Sequence, residues 1–206
     1  MRIQFAENEF YHVYNRGTDK RQIVMDENDS DRFIQSMIAF NTQEQVGSIF
    51  KKYFKDLRLN KNLNTPNFST PPNFSTPSAQ IIKKPEDPLV DVICFCLNPN
   101  HHHFLLSPLV EGGISKFMQK FNGGYTQYFN RRHNRTGVLY QGKFKARHIE
   151  SDSDLIRMSA YINLNDRVHN LSTRSAQIRV LKLYGLVGES TVDSKILKGF
   201  VQRISC

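Results

Sequence analysis

The sequence predicts an α+β fold, and three observations carry that prediction. Two apolar runs, Val90 to Leu97 and Phe104 to Leu109, flank Asn98-Pro99-Asn100. This turn chemistry joins them as an antiparallel strand pair. Second, Phe33, Met37, Ile38 and Phe40 follow Asp29-Ser30, an apolar i, i+4 pattern behind a helix-start signal. Third, Ile114, Phe117, Met118, Phe121, Tyr125, Tyr128 and Phe129 recur by threes and fours, the stripe of a long helix that faces a core.

The chain has 206 residues, enough for one sizeable domain with appendages. Its 28 Lys and Arg outnumber 19 Asp and Glu, and a net charge of +9 favours a polyanionic partner, nucleic acid before membrane. Apolar runs stay well short of a membrane span, and the N-terminal residues lack a signal-peptide core, so no membrane partner is expected. Three cysteines suit a reducing compartment, and the expected location is cytoplasmic.

In chain order, Glu9 to Arg16 is rich in aromatic and β-branched residues and reads as a strand that stops at Gly17. The first helix is expected from about Asp29 to Thr42. Ser48 to Leu59 is mixed basic and apolar, and periodicity does not decide between helix and strand. Pro66-Asn67-Phe68-Ser69-Thr70-Pro71 is followed at once by Pro72-Asn73-Phe74-Ser75-Thr76-Pro77, a duplicated unit whose composition predicts an extended insertion over about 60–88. After Glu111-Gly112-Gly113 the long helix begins near Ile114-Ser115, with Gly123-Gly124 inside it to weaken it or admit another element. Gly137 to Ile149 reads as a bent edge strand with Gly142 at the bend. Ser151-Asp152-Ser153-Asp154 offers caps for a helix from about Asp154 to Asn165. The main domain is expected over 1–170, with a C-terminal extension over 171–206 made of short helical pieces.

The chemistry-bearing residues fall into two groups. On a strand His101 and His103 share one face while His102 points the other way. Two imidazoles side by side can share a divalent metal, and the alternative is three histidines capping a strand at the surface. On the last helix Tyr161 and Asn165 lie one turn apart, beside a Leu155/Ile162 stripe that suits the core. Alone, a tyrosine there reads as packing. Beside a metal that polarises a phosphodiester, a phenol is a competent nucleophile. From Gly112 to Ile149 there is no Asp or Glu, whereas Arg131, Arg132, Lys143, Lys145 and Arg147 are interleaved with Tyr128, Phe129, Tyr140 and Phe144. That pattern suits phosphate contacts with base stacking, and Arg16 is a further candidate in the first loop.

Five motifs in order give the chain a family resemblance. They are Tyr-His-Val-Tyr-Asn-Arg-Gly from Tyr11, Pro-Asn-His-His-His-Phe-Leu-Leu from Pro99, and Gly-Gly-Tyr-Thr-Gln-Tyr-Phe-Asn-Arg-Arg from Gly123. Tyr-Gln-Gly-Lys-Phe-Lys from Tyr140 and Tyr-Ile-Asn-Leu-Asn from Tyr161 complete the set. Over residues 9 to about 168, apart from the insertion, the chain resembles the REP-associated tyrosine transposases of the HUH single-strand (IS200-like) superfamily. The resemblance implies a ferredoxin-like antiparallel sheet with helices packed on it and the histidine pair on a central strand. It implies single-stranded DNA, with hairpin structure, as the partner. It further implies a nicking and joining activity through a covalent 5′-phosphotyrosine, with Mg2+ or Mn2+ as cofactor. Position by position, it implies Tyr161 as nucleophile and His101, His103 and Asn165 as metal ligands. The chain departs from the family at His102, where an apolar residue is usual, and at Asp166-Arg167-Val168-His169, where Pro-Val-Arg-Ala is usual. Its insertion before the central strand is also longer.

Two other functional classes compete. A catalytically silent DNA-binding protein of the same fold would need none of His101, His103, Tyr161 and Asn165. A zinc hydrolase would recruit Cys94 and Cys96, which share a strand face, but no water-activating carboxylate lies nearby in sequence. Tyr125 and Tyr128 are rival nucleophiles whose place on the long apolar stripe favours packing.

Overall fold

A computed structural model describes residues 3–47, 49 and 85–163. The duplicated Pro-Asn-Phe-Ser-Thr-Pro unit, most of the 48–59 stretch, Asn165 and the C-terminal extension lie outside the described residues. Four strands form the sheet: β1 (Phe10–Arg16), β2 (Val90–Leu97), β3 (His101–Pro108) and β4 (Lys145–Ile149). Among the described residues three α-helices accompany them: α1 (Glu27–Ala39), α2 (Gly113–Arg132) and α3 (Asp152–Asn163). The strands stand in the order β2-β3-β1-β4, every neighbouring pair antiparallel. A βαββαβ chain in that order is the ferredoxin-like arrangement, and β3 with its histidines is a central strand.

Alternation along the strands sorts the two faces. Tyr11, Val13, Phe95, Phe104 and Leu106 join Phe33 and Met37 of α1 and Ile114, Phe117, Phe121 and Tyr125 of α2 in the main core. Cys96, Leu105 and Ile149 face the other way and meet Ile162, with Leu155 and Met158 of α3 beside them. An irregularity in the β2–β3 register lies between Val92 and Cys94. Such a bulge shifts the phase of a strand, so Val92 belongs to the main core while Cys94 and Cys96 lie under α3.

The long apolar stripe is core throughout: every one of its seven members from Ile114 to Phe129 is buried. This corrects the expectation that Tyr128, Phe129 and Tyr140 stack on bases, since their rings are sealed in the main core. Helix α1 starts earlier than expected. Asp26 caps it, its side chain accepting from the Asp29 backbone N–H at 3.0 Å. Asp29 is instead wholly buried and collects the Met25 N–H (2.9 Å), the Tyr128 hydroxyl (3.1 Å), Arg132 (2.5 Å) and His133 (2.9 Å). Arg132 also bridges both carboxylate oxygens of Asp26 at 2.6 Å. A buried carboxylate requires such partners, and these tie the start of α1 to the end of α2.

Two glycines in α2 have opposite surroundings. A Cβ on Gly124 would overlap the Phe40 ring, whereas one on Gly123 would meet nothing within 4 Å. Gly124 is therefore the close-approach position. The edge strand is shorter than expected, because only Lys145–Ile149 pairs with β1. Gly142 does sit at a bend, with φ +69°.

Gly124→Ala lowers stability by about 1–3 kcal/mol through overpacking. Gly123→Ala raises it by up to about 1 kcal/mol through helix propensity, and urea melts compare the two. Arg132→Met costs about 2–4 kcal/mol at neutral pH, because Asp29 loses its cation. The Arg132 guanidinium holds the Asp26 carboxyl below the usual range. This part of the wild-type advantage is therefore present above the ordinary carboxylate pKa and shrinks as pH falls through the lowered one, which paired melts across acidic pH measure.

Candidate active site

The hairpin turn places the histidines. The Asn98 backbone N–H donates to the His101 carbonyl at 2.8 Å. The Pro99 carbonyl receives the N–H groups of Ile23 (2.7 Å) and Val24 (3.1 Å), and the Asn100 carbonyl that of Gly17 (2.8 Å). Gly17 is required there: a Cβ would overlap the Arg21 carbonyl oxygen. The loop after β1 thus clamps the β2–β3 turn from which the His triplet departs.

His101 and His103 share the face under α3, their ring centroids 5.1 Å apart and planes at 85°. His101 is gripped by the turn. Its Nδ1 lies 2.6 Å from Asn100 Oδ1, and its Nε2 2.8 Å from Asn98 Nδ2. An amide oxygen only accepts and an amide nitrogen only donates, so His101 carries its proton on Nδ1 and its lone pair on Nε2. In His103 the Nδ1 lies 2.8 Å from Nε2 of His12 on β1. The two rings lie nearly parallel, 13° apart. Burial, then the charge of Arg147, lowers the His12 pKa to about 4.

Tyr161 stands over this cluster. Its ring is edge-on to His103, at 5.7 Å and 88°, and to His12, at 6.4 Å and 79°. It is 39% exposed while its neighbour Ile162 is fully buried, so α3 seats Ile162 in the apolar contact and leaves the phenol at the surface. The rival tyrosines are enclosed. Tyr125 donates its hydroxyl to the Ile23 carbonyl at 2.8 Å, and burial raises the pKa of both Tyr125 and Tyr128.

The cationic candidates divide. Opposite Tyr14 and His12 on the same face stand Lys145 and Arg147 of β4, and Arg16 stands opposite His101. All three are exposed. Arg16 donates to the Gln141 side chain at 2.5 Å, and Arg147 pairs with Asp154 in the first turn of α3, which Arg157 also meets at 3.1 Å. Arg131 and Arg132 belong to the end of α2, across the sheet from Tyr161, with Arg132 held by Asp26 and Asp29. Lys143 lies in the exposed loop before β4.

Among the described residues no group of three or more His, Cys, Asp or Glu side chains is arranged to hold a metal ion. Two neutral imidazoles on one side of the sheet do fit part of a divalent site, with a cation taking the place of the Asn98 amide at His101 Nε2, and Asn165 lies outside the described residues. The cysteines fit zinc poorly. Cys94 and Cys96 are packed with Leu105, Ile149 and Ile162, and burial pushes the Cys94 thiol up to about 12, away from the thiolate that zinc needs.

His102 points into the opposite core, wholly buried among Phe33, Phe104, Phe121 and Tyr140. Neither ring nitrogen has a hydrogen-bond partner among the described residues. An unpaired polar ring in aromatic surroundings is destabilising, so His102→Leu raises stability by about 1–2 kcal/mol in urea melts at neutral pH.

Three contributors were missed by sequence reasoning. His12 lies within the first motif, but only the strand register shows that it faces His103. Asn98 and Asn100 read as turn formers, and their side chains proved to hold His101 as well.

No helix among the described residues is long and apolar enough to cross a membrane. No curated protein matches the chain. A solved REP-associated tyrosine transposase bound to a REP hairpin is similar at 11% identity and a TM-score of 0.43, over 82% of this chain and 73% of that one. A protein assigned as a transposase from Deinococcus radiodurans R1 is similar at 12% identity and a TM-score of 0.37, over 79% and 91%. Residues 78–165 match the model of the family "Transposase IS200 like". That span holds the histidine hairpin, α2, β4 and the Tyr161 helix, and over it the chain is similar to that family.

Proposed function

We propose that the protein nicks and rejoins single-stranded DNA carrying a hairpin, with Tyr161 as the nucleophile. The observation that carries this reading is the half-exposed Tyr161 ring edge-on to His103, over the sheet face that also bears His101. A purely binding protein has no need of a phenol at that place.

In the proposed reaction the Tyr161 hydroxyl oxygen attacks a backbone phosphorus. An Oη–P bond forms and the P–O3′ bond breaks, leaving a 5′-phosphotyrosine and a 3′-hydroxyl that gains the proton lost by the phenol. Attack by another 3′-hydroxyl reverses these steps and restores the tyrosine. Bond energy is kept in the phosphodiester, so no external energy source is consumed. His101 and His103, with Asn165 four positions after Tyr161 in the sequence, would hold a divalent cation, Mg2+ or Mn2+. When bound, such a cation supplies charge stabilisation at the scissile phosphate. Lys145, Arg147 and Arg16 line the same face and suit the strand's phosphates. Lys143, Arg131 and Arg132 are the more distant members of the proposed DNA-contacting set.

Labelled single-stranded hairpin oligonucleotides, including DNA that flanks the gene, provide the test on denaturing gels. The expected result is a protein–DNA adduct that needs Mn2+ or Mg2+ and disappears in Tyr161→Phe, while filter binding persists. His101→Ala lowers adduct formation by on the order of 100-fold or more, the loss expected when a key transition-state stabiliser goes. Binding with no adduct anywhere in the pool identifies a silent DNA-binding protein instead. A further expectation concerns charge. Lys145→Ala weakens binding and reduces the slope of log affinity against log salt by about 0.7, one phosphate contact on a single strand.

A further inference from the structure

We infer that His12 is a positioning residue for His103, accepting the His103 Nδ1–H on its own Nε2 and thereby keeping the His103 lone pair on Nε2. The inference rests on the proposed metal site for the direction of the hydrogen bond and for its consequence, while the contact itself is set by the strand register.

Several observations converge on it. His12 on β1 lies diagonal to His103 on β3, since Tyr14 is the residue directly opposite His103. Diagonal neighbours on one face are within reach of long and aromatic side chains. His12 Nε2 and His103 Nδ1 are 2.8 Å apart, both residues are buried at 7% exposure, and the rings are within 13° of parallel. Tyr14 packs against both rings, its centroid 5.0 Å from that of His12 and 5.7 Å from that of His103. The His12 ring is thus held by its hydrogen bond to His103 and by its contact with Tyr14.

Only one of two proton arrangements leaves His103 able to ligate. If His12 donated, His103 would carry its proton on Nε2 and have its lone pair spent on His12. If His103 donates, both site histidines carry the proton on Nδ1, because Asn100 Oδ1 imposes that form on His101. Nε2 is then the atom of each ring that carries the lone pair, and in His101 a cation would take the place of the Asn98 amide N–H that this atom accepts. His12 is not a third ligand in this arrangement: its Nε2 meets the Nδ1 edge of His103, away from the edge that binds. Metal-bound histidines ordinarily donate their second N–H to such a partner, and loss of that partner costs on the order of 10- to 100-fold in metal affinity.

The test uses the metal-free full chain with 15N-labelled histidine at neutral pH, in wild type, His12→Phe and His12→Gln. Phenylalanine keeps the stacked ring and removes the acceptor, while glutamine places an amide oxygen near the lost Nε2. Two-bond 1H–15N spectra report the proton position on His103. Electron paramagnetic resonance of free Mn2+ then reports affinity. The expected result is His103 protonated on Nδ1 in wild type and His12→Gln, and redistributed toward Nε2–H in His12→Phe. Mn2+ affinity should fall on the order of 10- to 100-fold in His12→Phe and be restored by glutamine. His103 protonated on Nε2 in wild type, or proton position and affinity unchanged in His12→Phe, overturns the inference. Should wild type bind no Mn2+ while the proton positions behave as expected, the metal reading fails and the role of His12 stands.

Discussion

The antiparallel register of β1 against β3 is the constraint on which the rest depends. It puts Tyr14 opposite His103 and Arg16 opposite His101, and it sets His12 one pair further along on the same face. A slip of one residue would exchange the faces of a whole strand, sending His12 and Tyr14 into the aromatic core and Tyr11 and Val13 under α3. What prevents the slip is burial. Val13 and Phe104 are wholly enclosed on one side, and Leu105 and Ile149 are enclosed on the other. Hydrophobic burial on both faces thus fixes where the polar residues of the site must emerge.

The two faces are built for different tasks. Helices α1 and α2 seal one with interlocked aromatic rings: Phe33 meets Phe121 and Tyr125 edge-on, and Phe104 meets Phe121 the same way. The Asp26, Asp29 and Arg132 network ties the ends of these two helices. Over the other face, among the described residues, α3 packs through the smaller cluster around Cys96, Leu105 and Ile162. Arg147 on Asp154 joins β4 to the first turn of that helix, where a carboxylate also complements the helix dipole. The broad aromatic core thus lies behind the sheet, and before it, among the described residues, Tyr161 stands partly exposed.

His102 shows how the triplet serves both faces at once. Its neighbours need the open face, so strand alternation drives it into the closed one, where its ring meets four aromatic partners and finds no hydrogen-bond partner among the described residues. Desolvation holds this histidine far below its ordinary pKa, so it behaves there as a flat neutral ring.

Much of this was legible from local pattern. Strand period two separated His101 and His103 from His102, and helix period 3.6 separated Tyr161 from Ile162. The spacing of the long stripe marked α2 as core-facing, because these periods follow from backbone geometry alone. Where a signal had two possible outlets, sequence was insufficient. Arg132 looked like its neighbour Arg131, yet it is held by two carboxylates contributed by α1, more than a hundred positions earlier in the chain. Tyr128 read both as part of the core-facing stripe and as a base-stacking ring, and Tyr140 as a base-stacking ring, yet both lie in the core. His12 stood in a recognisable motif without a task. By itself the sequence determined the elements, their buried sides and the residue types of the site. Tertiary structure alone decided which side chains meet, because strand register and helix docking are set by the summed burial of both faces, to which no single stretch of chain has access.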